Sequence, residues 1–119
     1  MTFRALCLAP VLAMLAAAPA LANVTLVVAS PAPRAVVAAP PHMLVLSFSA
    51  PPQTYFSEVT VTNQAGNPVQ AGRPEAVAGQ PFELAVPVAI TLPGRYTVNW
   101  QIRVYNQHST GSYSFTVTQ

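Results

Sequence analysis

Two histidines, His42 and His108, are the side chains of this 119-residue chain best suited to bind a metal ion. His42 follows two prolines and precedes a run that predicts a strand, so we expect a solvent-facing imidazole there. His108 lies in the segment Asn106–Gly111, between two runs of strand-forming residues, and this position predicts a loop. Composition alone favours a surface residue here too. Loops on a rigid scaffold often carry ligand-binding residues, so His108 is the stronger candidate.

Catalytic chemistry has little support from the other side chains. The chain has no aspartate, and Glu58, Glu75 and Glu83 are its only acidic residues, so an enzyme built on paired carboxylates is not expected. Neither histidine stands in a hydrolase signature with a serine and an acid. We therefore predict that the protein is not an enzyme.

Charge is scarce in this sequence. Charged residues make up 7% of the chain and the formal net charge is +2, from five arginines against three glutamates. No basic stripe could follow a phosphate backbone. The composition therefore excludes nucleic acid as a partner.

The first 22 residues have the pattern of a secretory signal peptide. Arg4 precedes an apolar core at 6–18, and Ala20-Leu21-Ala22 fits the small-x-small rule for cleavage. Two prolines interrupt the apolar run, which is shorter than the roughly 20 residues of a spanning helix; a retained membrane anchor is the alternative. Cleavage after Ala22 predicts a mature domain at 23–119, located in the periplasm. Membrane contact is then expected only through the signal peptide. Since Cys7 lies in the removed segment, neither a disulfide nor a thiolate metal site is expected.

Alternating short runs in the mature chain predict an all-β fold. The clearest run is Arg95–Tyr105, where every second residue is apolar and the residues between are polar. The same alternation predicts four more inward-facing rows: Leu44, Leu46 and Phe48; Val59 and Val61; Phe82, Leu84 and Val86; and Tyr113, Phe115 and Val117. Thirteen prolines exclude long helices. Turn signals between the runs predict a Greek-key antiparallel β-sandwich, with a small closed barrel as the alternative. The proline-rich segment Ala29–Pro41 is expected to be an irregular connection along one edge.

Several segments in a fixed order resemble the CopC family of periplasmic copper-binding proteins. They are Leu46-Ser47-Phe48-Ser49, Tyr55–Val59, Leu92–Val104 and His108–Val117. The resemblance covers the whole mature chain, and the half from Leu92 onward is its most specific part. It implies an immunoglobulin-like Greek-key sandwich, in agreement with the alternation.

The resemblance also implies a copper site, but with a reduced ligand set. In the family, Cu(II) is bound by the mature amino-terminal histidine, by an Asp-x-His pair and often by a glutamate after a Phe-Ser pair. Here Asn23 would be the first mature residue, Asn106 stands at the aspartate position, Ala50 stands at the glutamate position, and His108 is kept. Amides are neutral and poor Cu(II) ligands. The expected metal residues are therefore His108, Asn23 through its α-amine, and Asn106, with weak Cu(II) binding.

Two other copper ligand sets are not expected. The loop at 63–70, where some family members carry methionines and a histidine for Cu(I), contains neither residue type. An extended strand after His42 would place this residue roughly 25 Å from the metal end of the sandwich. His42 is thus not expected to join His108 in one site of a monomer.

Two functions are compatible with this sequence. The first is a CopC-like protein of copper homeostasis or resistance that binds a copper ion weakly, with an inner-membrane copper transport protein as a further expected partner. The second is a periplasmic interaction module that keeps the fold but has lost copper binding.

Overall fold

The structure is a computed structural model that describes residues 24–119. The predicted signal peptide at 1–22 and the predicted first mature residue, Asn23, lie outside the described residues. Regular structure in the described part consists of strands and one three-residue 3-10 turn, Thr54–Phe56. No helix of residues 24–119 is long and apolar enough to cross a membrane.

Eight strands form two sheets that pack face to face. Their bounds are β1 Leu26–Ser30, β2 Val36–Val37, β3 Met43–Phe48, β4 Glu58–Thr62, β5 Glu75–Val77, β6 Gln80–Pro87, β7 Gly94–Val104 and β8 Gln107–Val117. One sheet has the order β1-β3-β6-β5 and the other the order β2-β8-β7-β4. The chain changes sheet at every connection from β1 to β5, and again between β6 and β7. The predicted all-β sandwich is therefore confirmed, with one parallel pair, β2 with β8.

The core follows the alternation read from the sequence, because alternate residues of a strand face opposite sides of the sheet. All five apolar positions of the Arg95–Tyr105 run are buried: Tyr96, Val98, Trp100, Ile102 and Val104. The rows of β3 and β4 are buried as well, as are Leu84 and Val86 of β6. Trp100 packs edge-on against Phe48 of the facing sheet, with ring centroids 5.1 Å apart.

Phe82 was expected in the core, and this prediction is wrong because its side chain is 43% exposed. The pairing of β6 with β3 ends at Glu83, so Phe82 lies beyond the end of that pairing. The register of β6 with β5 also shifts next to it. Phe82 therefore belongs to a hairpin end that projects past the sandwich, where no facing sheet covers it.

The proline-rich segment after β1 is less irregular than the sequence predicted. Ala29 and Ser30 belong to β1, and Val36–Val37 form the short edge strand β2. The Arg34 amide donates to the Ser114 carbonyl at 2.6 Å, and the Thr116 amide donates to the Ala35 carbonyl at 2.9 Å. This segment thus connects the edge of one sheet to the edge of the other.

Candidate metal centre

His108 lies in a strand, which corrects the prediction of a loop at Asn106–Gly111. The β7–β8 hairpin closes with a two-residue turn, Tyr105 and Asn106, and β8 begins at Gln107. His108 stands opposite Arg103 in continuous register. Phe115 and Val117 of the same strand are buried, so even-numbered residues of β8 face outward. The His108 imidazole is accordingly exposed on the outer face of its sheet.

Arg103 stands opposite His108, but its side chain contacts Phe56 and Tyr105. Its guanidinium carbon lies 5.2 Å from the centroid of the Phe56 ring, and its Nε donates to the Tyr105 carbonyl at 3.0 Å. Its backbone amide donates to the buried Ser57 hydroxyl at 3.3 Å. These contacts attach the 3-10 turn to the end of β7 beside the hairpin.

The first described residues lie beside the strand that carries His108. The Val24 amide donates to Ser109 Oγ at 3.2 Å. The Thr25 amide donates to Ser49 Oγ at 3.0 Å, and the Ser49 amide donates to the Thr25 carbonyl at 2.9 Å. Val24 and Thr25 also line one surface depression together with His108 and Ser109. Two serine hydroxyls therefore fix the start of the described chain next to β8.

The other expected site residues are placed as follows. Asn106 is exposed in the hairpin turn, two residues before His108. Asn23 is outside the described residues, one peptide bond before Val24. Ala50 is partly buried and packs against the core, so no ligand stands there. His42 precedes β3 at the end opposite Phe48, and its carbonyl accepts a hydrogen bond from the Val88 amide at 3.1 Å.

The described donors fit a copper ion only in part. Within residues 24–119 there is no group of three or more histidine, cysteine, aspartate or glutamate side chains that could hold a metal ion. His108 supplies one imidazole, which is a good Cu(II) ligand, and Asn106 supplies a neutral amide, which is a poor one. The described part of a single chain thus offers one strong side-chain ligand at this end of the sandwich.

Ser109 and Ser49 are functional candidates that sequence reasoning missed. The two serines belong to the segments Leu46–Ser49 and His108–Val117 that resemble the family, but the sequence pattern gives neither hydroxyl a role. Ser109 faces the interior because odd-numbered residues of β8 do. A polar side chain that faces the interior needs a hydrogen-bond partner, so such a residue in a strand indicates a specific contact. The inward orientation of Ser109 does not follow from the sequence as long as Asn106–Gly111 is predicted to be a loop.

Comparison with known proteins identifies the class. The chain is a small two-sheet β-sandwich protein, and the family model described as the CopC domain matches its residues 26–118. The protein therefore belongs to the CopC family. This confirms the resemblance found in the sequence.

Solved structures of CopC and PcoC proteins are similar to this chain. CopC from Methylosinus trichosporium OB3b shares 27% identity at a TM-score of 0.75, covering 81% of this chain and 94% of that one. PcoC from Escherichia coli, a methionine-rich copper resistance protein, shares 28% identity at a TM-score of 0.69, covering 82% of this chain and 100% of that one. The search of curated proteins found no match.

Proposed function

We propose that this protein is a periplasmic copper-binding protein of copper homeostasis or resistance, and that it binds Cu(II) weakly. The imidazole of His108 and the α-amine of Asn23, freed by cleavage after Ala22, are the two nitrogen ligands. The amide oxygen of Asn106 is an additional weak ligand. Membership of the CopC family and the likeness to the CopC and PcoC structures support this assignment.

The observation that carries the proposal is the hydrogen bond from the Val24 amide to Ser109 Oγ. It joins the start of the described chain to the residue that follows His108. This contact supports the residue before Val24 as the source of the α-amine ligand. His42, at the far end of β3, has no part in this ligand set.

Weak binding follows from the chemistry of the replaced ligands. A Cu(II) ion gains most from imidazole nitrogen and from anionic ligands. Compared with the family pattern, this chain loses an imidazole at Asn23, a carboxylate at Asn106 and a second carboxylate at Ala50. Within a single chain only water is left to complete the coordination, so the ion exchanges readily. Such a site suits a buffer or carrier that passes copper to another protein, for which an inner-membrane copper transport protein is the proposed partner.

Calorimetric titration of the exported protein with Cu(II) tests this proposal. We expect His108→Ala to weaken binding by at least about tenfold, because even a change in the residues around metal ligands commonly costs that much. His42→Ala is the matched control, since it removes the other imidazole at the far end, and it should leave the curve unchanged. Identical weak curves for the parent protein and His108→Ala would dismiss the site.

A second candidate function is a periplasmic interaction module without copper binding. It is favoured by three exposed aromatic residues: Phe56 and Tyr105 contact Arg103, and Tyr55 packs edge-on against Phe56. Exposed aromatics with arginine are enriched in protein interfaces. Clear copper loading, together with a pull-down from envelope extracts that recovers no partner, would count against this candidate.

A further inference from the structure

We propose that two copies of this chain bind one Cu(II) ion between them, through paired β8 edges that bring the two His108 imidazoles together. This inference rests on the proposed copper function and names the way in which the missing strong ligand is supplied.

The first half of β8 has an unpaired edge. Strand residues alternate in the direction of their backbone hydrogen bonds, and the Ser114 carbonyl and the Thr116 amide point away from β7, because both bond to the segment around β2. Even-numbered residues of β8 therefore direct their amide and carbonyl groups outward. β2 pairs only with Thr116 and Val117. Within the described chain, no strand covers the corresponding groups of His108, Thr110 and Ser112.

This edge lacks the features that usually prevent edge pairing. Charged side chains, prolines and bulges commonly protect an exposed edge. The stretch His108–Ser112 has no lysine, arginine, acidic residue or proline, and the register of β8 with β7 is continuous along its whole length. The chain start does not cap this edge, because Val24 bonds to the hydroxyl of Ser109 and not to the outward backbone groups.

A two-fold axis beside His108 places each imidazole opposite its own copy. Identical strands that pair antiparallel form an isologous, closed interface. In the hydrogen-bonded register that sets His108 opposite the His108 of a second copy, the two Cα atoms are about 5.5 Å apart, and both imidazoles lie on the outer face. Thr110 of one copy then faces Asn106 of the other. One metal ion can bind both imidazoles in this arrangement.

Copper is needed to select this dimer. The open edge is short and supplies only a few backbone hydrogen bonds, each of which contributes about 1 kcal/mol after exchange with water. Other registers, displaced by two residues, set the two imidazoles farther apart, at diagonal positions about 7–8 Å from each other, and so bind the ion less well. A ligand shifts an equilibrium toward the state that it binds more tightly. The metal-free protein is therefore expected to be monomeric, and Cu(II) to favour the register with paired imidazoles.

The test measures stoichiometry and mass together. Titration of the exported protein with Cu(II) should saturate at half an ion per chain, and light scattering should show the molar mass doubling at the same point. Saturation at one ion per monomeric chain would overturn this inference and leave the proposed copper function standing. Absence of copper binding would overturn both. A dimer that persists unchanged in His108→Ala with copper would overturn the inference as well.

Edge variants separate the backbone contact from the imidazole. Thr110→Pro removes an outward amide and leaves His108 in place, and proline is tolerated where a strand amide faces solvent. We expect copper-dependent dimerisation to weaken at least tenfold. Thr110→Lys places a charge on the edge and should have the same effect if the proline variant fails to fold. Ser112→Ala changes only an exposed side chain of the same edge and should dimerise normally. Equal dimerisation by Thr110→Lys and the parent protein would contradict edge pairing.

Discussion

Tyr113 has a buried hydroxyl with no hydrogen-bond partner among residues 24–119. It stands opposite Val98 in the β7–β8 pair and packs against the core. Burial removes water that would stabilise the phenolate, and this raises the pKa of Tyr113 to about 12 from its usual 10.0. The hydroxyl thus adds a desolvation cost without a compensating contact.

The raised pKa makes folding stability depend on alkaline pH. In the unfolded chain the phenol loses its proton near pH 10, whereas in the folded chain it keeps the proton up to about pH 12. The contribution of Tyr113 is complete below pH 10, and the free energy of unfolding falls as the pH rises from 10 to 12. Tyr113→Phe should remove this fall, and at neutral pH it should be neutral or slightly stabilising.

Urea denaturation at pH 9 and pH 11 measures this effect. The difference in unfolding free energy between Tyr113→Phe and the parent protein should shift in favour of the variant at the higher pH. Tyr105→Phe is the control, because that side chain is 80% exposed. The same difference at both values of pH would show that the Tyr113 hydroxyl is solvated in the folded protein.

The β7–β8 pair depends on one small residue, Gly111, which stands opposite Trp100. A Cβ atom built on Gly111 would lie 2.2 Å from an atom of the Trp100 ring. That distance is far below van der Waals contact. The indole therefore occupies the space that a side chain on Gly111 would need.

Gly111→Ala should destabilise the protein by about 1–3 kcal/mol, the usual range for overpacking in a core. The ring of Trp100 must move, and its contact with Phe48 must change with it. Chemical denaturation followed by tryptophan fluorescence measures the loss. Ser112→Ala, on the next residue and facing outward, should change stability by less than about 0.5 kcal/mol. An equal effect of the two substitutions would refute the steric explanation.

Individual elements differ in how far the sequence determined them. β7 was predicted residue by residue, because its apolar residues alternate over eleven positions. The first half of β8 was missed, because Gln107–Ser112 is polar on both faces and forms a strand only through pairing with β7. β2 was missed because two residues are too few to show a period. Register and pairing are non-local, so local patterns do not reveal them.

At the scale of the whole molecule, the fold and the family were predictable and the state of the site was not. Segment order and spacing identified the family, which the match to residues 26–118 confirms. The loss of ligands at Asn106 and Ala50 was inferred from the sequence and stays a prediction. The approach of Val24 to Ser109 was not inferred, because it joins residues 85 positions apart. The unpaired edge of β8 was equally hidden, since it depends on where β2 ends.

Processing of the whole chain is the third prediction. The mature protein isolated from the periplasm should have the intact mass of residues 23–119, because Ala20-Leu21-Ala22 fits the cleavage rule. Mass spectrometry of the exported product measures this directly. Cytoplasmic expression of the unprocessed chain with Cys7→Ala, which removes the thiol, is the control, and it should bind Cu(II) more weakly because Asn23 has no free amine there. A mass that retains residues 1–22 would contradict the proposed α-amine ligand.

The segment between β1 and β3, which contains β2, joins the two sheets at one end of the sandwich more firmly than at the other. At one end, Arg34 and Ala35 bond to β8, and Val37 bonds to Thr118 just after it, which closes the seam between the sheet edges. At the other end, among residues 24–119, the seam beside His108 is joined by one hydrogen bond, from the Val24 amide to Ser109 Oγ. We therefore expect the two sheets to separate more readily at the imidazole end. Binding of Cu(II) should stabilise this end reversibly. We expect amide exchange to slow more in the half of β8 that contains His108 than in any other part of the protein.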